Sequence, residues 1–314
     1  MVSIIITSYN KATTIERAIE SALAQSYKNC EIIVVDDCST DESREICSRF
    51  GNKIKVISTP VNSGLPYARE DGIQAAKGRF LTFLDADDFL DKTAIEHCVR
   101  CIKNTDADII QMHINRRVNR IDTPIKFRSK YNKSKAVNAC LYNENLFPVQ
   151  CWGKLYRAEF INDISPIDYS GFWGEDRLFN LPIMESKPQI VVEPKAKYNY
   201  VWGGESLSKF NINTLQEYKE VYKLKLNWAE ENDYEYYITE MQTELISLLK
   251  YHIRQMINSG DYSDELAVNI LKNELALPFW QEFKLNTTAE KLYFGQKHSL
   301  SRIIKKRVVQ ILSK

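Results

Sequence analysis

Short apolar runs separated by amphipathic stretches frame the first part of this chain. Val2–Thr7 (VSIIIT), Glu31–Asp37 (EIIVVDD) and the apolar part of Gly78–Leu90 (GRFLTFLDADDFL) are nearly continuous in strand-forming residues, as expected of strands covered on both faces. Lys53–Ser58 and Ala107–His113 read as further strands. The segments between them read as helices. Thr13 and Glu16 have the spacing of a capping box, and the helix that follows, to about Gln25, puts Ile15, Ala18, Ile19, Ala22 and Leu23 on one face. A second helix starts in Ser39-Thr40-Asp41-Glu42 and runs to about Phe50. A third covers Pro66–Lys77 with Gly78 as its C-cap, and a fourth runs from about Lys92 to Lys103. This alternation predicts an α/β fold with a mostly parallel central sheet and helices on both faces.

The polar residues gather at one place in that pattern. Thr7 and Tyr9, Asp36 and Asp37, and Asp85, Asp87 and Asp88 all follow the carboxyl ends of strands. In open α/β sheets that edge is where ligands bind. Asp85-Ala86-Asp87 there suggests a hard divalent cation, which prefers oxygen ligands and shares its shell with phosphates. Taken alone, the cluster reads more readily as a capped turn than as a cation site, a reading that fits Asp88 or Asp91. Beyond it, Trp152–Arg157 resumes an ordered pattern. Glu175-Asp176 form a second acidic pair at a helix start among aromatics, and Lys197–Trp202 reads as a strand. Trp152 and Trp173 read either as exposed aromatic platforms or as core.

From about Asn211 strand signals stop and helical patterns take over, Leu215–Ala229 and Tyr237–Met256 being the clearest. The chain therefore divides into residues 1–208 and a helical C-terminal extension, 209–314. Residues 114–150 carry a run of Arg and Lys without clear period, read as a solvated excursion or as a surface for an anionic acceptor. The last residues, SRIIKKRVVQILSK, form a basic amphipathic helix. It can lie on an anionic membrane as a peripheral contact or pack with its basic face in water.

Bulk properties narrow the field. The chain has 314 residues, 44% hydrophobic and 26% charged, with net charge +1, so nothing in the overall charge favours nucleic acid. Seven scattered cysteines fit free thiols in a reducing compartment, and the Cys98/Cys101 pair lacks the second pair that a zinc site needs. No run reaches the ~18 apolar residues of a membrane span, and the first strand starts at Val2. The expectation is a cytoplasmic protein, with peripheral attachment to the inner membrane face as the variant. A dinucleotide oxidoreductase is disfavoured because TSYNKA stands where the first strand would lead into GxGxxG. A phosphatase with an Asp-x-Asp nucleophile would carry that motif after its first strand; here it follows the fourth.

Five motifs in order, SIIITSYN, EIIVVDDCSTD, NSGLPYAR (62–69), GRFLTFLDADD and WGEDRLF (173–179), resemble the family-2 glycosyltransferases of the GT-A fold. The resemblance covers roughly the first 205 residues. It implies a UDP-sugar donor, Mn or Mg, and a saccharide or lipid-linked acceptor, in inverting transfer of a hexose or N-acetylhexosamine for bacterial surface polysaccharide. By it, Thr7, Tyr9 and Asp37 hold base and ribose, a carboxylate suiting the uracil imide N–H. Arg69 lies near the donor, Asp85 contacts ribose or metal-bound water, Asp87 ligates the metal, and Asp176 is the general base with Glu175 beside it. One departure stands out: the segment 202–206 (WGGES) carries Glu205 where relatives often have a basic residue, and the next lysine is Lys209. A non-catalytic nucleotide-sugar or glycan-binding module on the same fold is the alternative.

Overall fold

The computed structural model describes residues 1–118, 121–125, 149–162, 167–169, 171, 174–202, 212–245 and 248. Its strands are β1 (Val2–Ser8), β2 (Cys30–Asp36), β3 (Lys55–Ser58), β4 (Phe80–Asp85), β5 (Phe89–Leu90), β6 (Ile109–Val118), β7 (Ile121–Ile125), β8 (Lys154–Arg157) and β9 (Ile190–Trp202). Its helices are α1 (Ile15–Leu23), α2 (Ser43–Ser48), α3 (Leu65–Ala75), α4 (Ala94–Lys103), α5 (Ala158–Asn162), α6 (Glu175–Glu185) and α7 (Ile212–Glu231). The chain divides into two compact units, Met1–Lys209 with Gln216–Asn227, and Phe210–Leu215 with Trp228–Lys314. The middle of α7 thus belongs to the first unit. In the second, Trp228 stacks on Tyr234 at 5.5 Å.

The sheet of the first unit runs β3-β2-β1-β4-β8-β6-β9-β5, with β7 paired to β6. The parallel stretch expected from the alternating pattern is β3-β2-β1-β4. Beyond β4 the pairing is mixed: β8 is antiparallel to β4 and β6, β9 is parallel to β6, and β5 is antiparallel to β9. The two apolar faces of the parallel stretch are separated by strand alternation. Ile4, Ile6, Ile32 and Val34 pack in one cluster with Ile15, Ala18, Ile19 and Ala22 of α1 and Ile95, Val99 and Ile102 of α4. Ile33 and Val35 face the other way, onto Ala68 of α3. Both faces are covered, which is why these strands read as continuous apolar runs.

Several local expectations are corrected. Thr13 does not cap α1: the helix begins at Ile15, and Thr14, its N-cap, makes no side-chain cap bond. The start is held instead from the β2–α2 loop, where Asp41 accepts from the Ala12 N–H at 2.9 Å and Ser43 Oγ from the Lys11 N–H at 2.8 Å. Gly78 is not a C-cap either, since α3 ends at Ala75 with an extended Ala76. Its missing side chain serves close packing: a Cβ there would lie 2.6 Å from the Ser3 backbone nitrogen. Asp88 does not cap the next helix. It is fully buried, accepting from Tyr198 Oη at 2.7 Å and the Val201 N–H at 2.8 Å, and so ties the β4–β5 turn to β9.

Trp152 is core rather than an open platform. It is 7% exposed and stacks between Tyr198 and Tyr200, with centroids 4.8 and 5.1 Å away. Cys98 is buried in the main core and Cys101 packs against it, both as free thiols. The basic C-terminal segment, Trp173, residues 203–206 and residues 126–148 lie outside the described residues.

Candidate donor and acid–base site

Strand register assembles the site. Thr7 sits between Val35 of β2 and Asp85 of β4, and Ser8 is opposite Asp36. Three segments far apart in sequence therefore leave the sheet at one level, and their next residues form one cleft. Thr7, Ser8, Tyr9, Lys11, Asp37, Asp85, Ala86 and Asp87, with Leu65 and Ala68 of α3, enclose a volume of about 550 Å³ open to solvent. Thr7, Tyr9, Asp37, Asp85 and Asp87 are thus brought together as expected.

Asp37 is held rigidly. Its Oδ1 accepts from Thr59 Oγ1 at 3.0 Å and the Ser63 N–H at 2.8 Å, and its Oδ2 from the Gly64 N–H at 2.8 Å. Gly64, with φ of +92°, is the residue that can take this conformation without strain before α3. Three donors on a nearly buried carboxylate satisfy both its oxygens and fix its direction. Asp36 braces the loop after β2: its Oδ2 accepts from the Ser39 N–H at 3.4 Å and from Arg44 Nε at 3.3 Å.

At the end of β4, Asp85, Asp87 and Asp88 bring one carboxylate oxygen each within 4.8 Å of one another. That donor set, all oxygen and all anionic, fits a hard divalent cation. Burial pushes the Asp85 carboxyl up to about 7; the neighbouring Asp87 and Asp176 charges add to this, while Arg69 and Lys11 oppose it. A dication would relieve that crowding of negative charge. Asp88 belongs to the cluster by distance, yet both its oxygens are engaged by β9, so it orients the turn. Asp87 is held by two cations. Lys11 Nζ lies 2.6 Å from its Oδ2, and Arg17 donates to its backbone carbonyl.

Arg69, Glu175 and Asp176 form a second group. Arg69 projects from α3 and is 1% exposed. Its Nη2 is 3.1 Å from Asp176 Oδ1 and 3.7 Å from Glu175 Oε1. Asp176 Oδ1 also accepts from the Cys151 N–H at 3.0 Å. Arg69 does not line the cleft; its contacts are with the acidic pair, and its Nε and Nη1 have no partner among the described residues. Burial pushes Glu175 up to about 8, with the Asp176 charge adding and Arg69 opposing. Burial thus favours the protonated form of Glu175 more than that of an ordinary carboxyl. Asp85 and Asp176 influence each other electrostatically, so the two acidic centres belong to one field.

The match to known proteins follows this geometry. Residues 3–164, just over half the chain, match the model of glycosyl transferase family 2. The chain belongs to that family. This family-2 glycosyltransferase is 30% identical over 223 residues to glycosyltransferase GlyA of Streptococcus pneumoniae, covering 66% of its own length and 31% of that relative. Over 98 residues it is 43% identical to the Escherichia coli UDP-Glc:alpha-D-GlcNAc-diphosphoundecaprenol beta-1,3-glucosyltransferase WfaP, covering 31% and 39% of the two chains. The chain thus spans only about a third of these curated relatives. Its fold is similar to that of S. aureus TarS 1-349 in complex with UDP-GlcNAc, with TM-score 0.63 and 20% identity over 95% of this chain and 93% of that one.

Three participants were not singled out from the sequence. Lys11 follows the polar turn after β1, and its sign, opposite to the acidic run, was the available signal. Ser8, whose buried Oγ has no partner among the described residues, sits between Thr7 and Tyr9 in the cleft. Cys151 contributes through its backbone N–H, which no side-chain pattern reveals.

Proposed function

We propose that this chain is an inverting, metal-dependent glycosyltransferase that moves a hexose or N-acetylhexosamine from a UDP-sugar to a saccharide or lipid-linked acceptor in surface polysaccharide synthesis. The observation that carries this is the single cleft formed by Thr7, Tyr9, Asp37, Asp85 and Asp87 at one sheet edge, in the same electrostatic field as Asp176. The UDP-GlcNAc bound by the structural neighbour and the UDP-Glc in the name of the E. coli relative support the donor class.

In this reading Asp37 accepts the uracil imide N–H, Thr7 and Tyr9 border the base and ribose, and Asp85 faces the ribose or a metal-bound water. Asp87, with Asp85, would hold Mn or Mg, which when bound supplies charge stabilisation for the departing diphosphate. The acceptor hydroxyl attacks the anomeric carbon on the face opposite the bond to UDP. Asp176 takes the hydroxyl proton as that carbon–oxygen bond forms and the bond to UDP breaks, which inverts the anomeric centre. Glu175, whose burial favours its protonated form, sits beside Asp176 as the weaker base. Arg69 fixes the direction of the Asp176 carboxylate. Donor chemistry then falls within residues 1–208, and acceptor choice draws on 114–175 and on 209–314.

Calorimetric titration tests the reading. UDP should bind with Mn present and much more weakly in chelator, and CDP should compete poorly because cytosine has no imide N–H for Asp37. UDP binding indifferent to metal, together with no hydrolysis of any UDP-sugar, would favour the non-catalytic binding module instead.

A further inference from the structure

Lys11 reaches into the cleft and rests on the carboxylate that the proposed function gives to the metal. Its Nζ is 2.6 Å from Asp87 Oδ2, a short charge-assisted contact. The Lys11 side chain is 19% exposed and that of Asp87 38%, so the pair lies at the cleft wall, neither deep in the core nor free in water. A divalent cation and an ammonium repel strongly at the edge of one carboxylate. When the cation arrives, the ammonium must leave.

It cannot leave far. The Lys11 backbone is fixed on every side. Its N–H donates to Ser43 Oγ at 2.8 Å, and its carbonyl accepts from the Thr14 and Ile15 N–H groups at 2.9 Å each. The next N–H, of Ala12, donates to Asp41 at 2.9 Å. On the other side, Asn10 takes a positive φ of 52°, with its N–H on Ser39 Oγ at 2.9 Å and its side chain accepting from the Thr40 N–H at 2.8 Å. Only the flexible side chain can move, and it lines the same cleft as Thr7, Asp37 and Asp85. The anion that enters with the cation is the diphosphate of the donor. A tethered ammonium displaced from Asp87 meets it at short range.

We propose that Lys11 is an exchangeable counter-ion: it neutralises Asp87 in the empty site, yields that carboxylate to the divalent cation, and then binds the donor's diphosphate. The inference rests on the metal and UDP-sugar reading above and adds to it a residue and an order of events. It predicts effects of opposite sign from one substitution. Removing the ammonium should free Asp87 for metal and, at the same time, deprive the diphosphate of a partner. A residue with a merely structural role would weaken both.

The test is calorimetry on the full chain with Lys11→Met, which keeps the aliphatic stem, and with Lys11→Gln should the methionine variant not fold. Mn alone, without nucleotide, should bind the variant up to about fivefold more tightly than wild type, the scale set by losing one partly exposed ion pair. UDP with saturating Mn should bind up to about fivefold more weakly, on the same scale. Uridine, which has no phosphate, should bind both proteins alike. Lys11→Arg, keeping the charge, should restore UDP affinity. Unchanged or weaker Mn binding in the variant overturns the counter-ion role. Equal losses for UDP and uridine overturn the diphosphate role. If neither wild type nor variant binds Mn, the metal reading itself falls and takes this proposal with it, an outcome distinct from Mn binding that ignores Lys11.

Discussion

Replacing Glu175 by Gln should change how stability depends on pH, and by an amount the structure sets. Glu175 sits beside Asp176 in a buried position, and burial above all raises its carboxyl from an ordinary 4.5 to about 8. Between those values the native protein holds a proton that the unfolded chain has already released. Stability conferred by a raised carboxyl is therefore present at low pH and lost as pH rises through the folded-state value. Integrated from about pH 6 to about pH 9, this one group costs the wild type on the order of 3 kcal/mol. Glu175→Gln keeps the shape and cannot ionise, so it escapes the loss. Asp85 titrates in the same range and in the same field, so the difference between the two proteins reports the loss of Glu175 together with its effect on Asp85. Urea unfolding of the metal-free proteins at about pH 6 and about pH 9 measures the difference. Wild type should lose about 2–3 kcal/mol more than Glu175→Gln over that interval. Parallel losses would refute the claim that Glu175 is held protonated, and with it the reasoning that leaves the base role to Asp176.

Three further substitutions probe the acidic pair, the core and the proposed base. Arg69→Met leaves Asp176 without the buried cation that pairs with it and should cost about 3–5 kcal/mol, read from the shift in a denaturant midpoint. Trp152→Ala should cost about 3–5 kcal/mol in the same assay while leaving the donor KM unchanged, because the ring is packed between Tyr198 and Tyr200 and does not face the cleft. Asp176→Asn keeps an oxygen to accept from the Cys151 N–H but gives up the charge that pairs with buried Arg69, so it should lower the same denaturant midpoint, while transfer by the folded protein falls about a hundredfold to ten-thousandfold in a UDP-release assay.

How far the sequence alone reaches depends on the kind of interaction. The parallel half of the sheet was legible because Ile4, Ile33 and Phe83 lie in apolar runs whose length and punctuation have few other solutions. The convergence of Thr7, Asp37 and Asp85 followed from topology, since parallel strands share one carboxyl edge. In the mixed half, Ala107–His113 and Lys197–Trp202 were legible as strands, but the pairing was not. β8 is four residues long, β5 is two, and their pairing with β4 and β9 is decided by distant side chains such as Asp88 and Tyr198. The capping box at Thr13 had the right spacing and lost to a tertiary alternative, Asp41 and Ser43 reaching over from another loop. Arg69 was legible as a basic residue near the site, but a helix position alone does not tell whether it turns to the cleft or to the acidic pair. Trp152 shows the same limit: a lone Trp gives no sign of which rings will sandwich it.

The central claim is that this cleft binds a UDP-sugar and that Asp87 and Asp176 act on it together. Its most direct test is release of UDP from a panel of UDP-sugars incubated with the full chain and Mn, with and without chelator, alongside Asp87→Asn. UDP should be released from at least one hexose or N-acetylhexosamine donor, and both chelator and Asp87→Asn should abolish that release in a protein that remains folded. Release at the wild-type rate in the presence of chelator, or undiminished in Asp87→Asn, would contradict the claim.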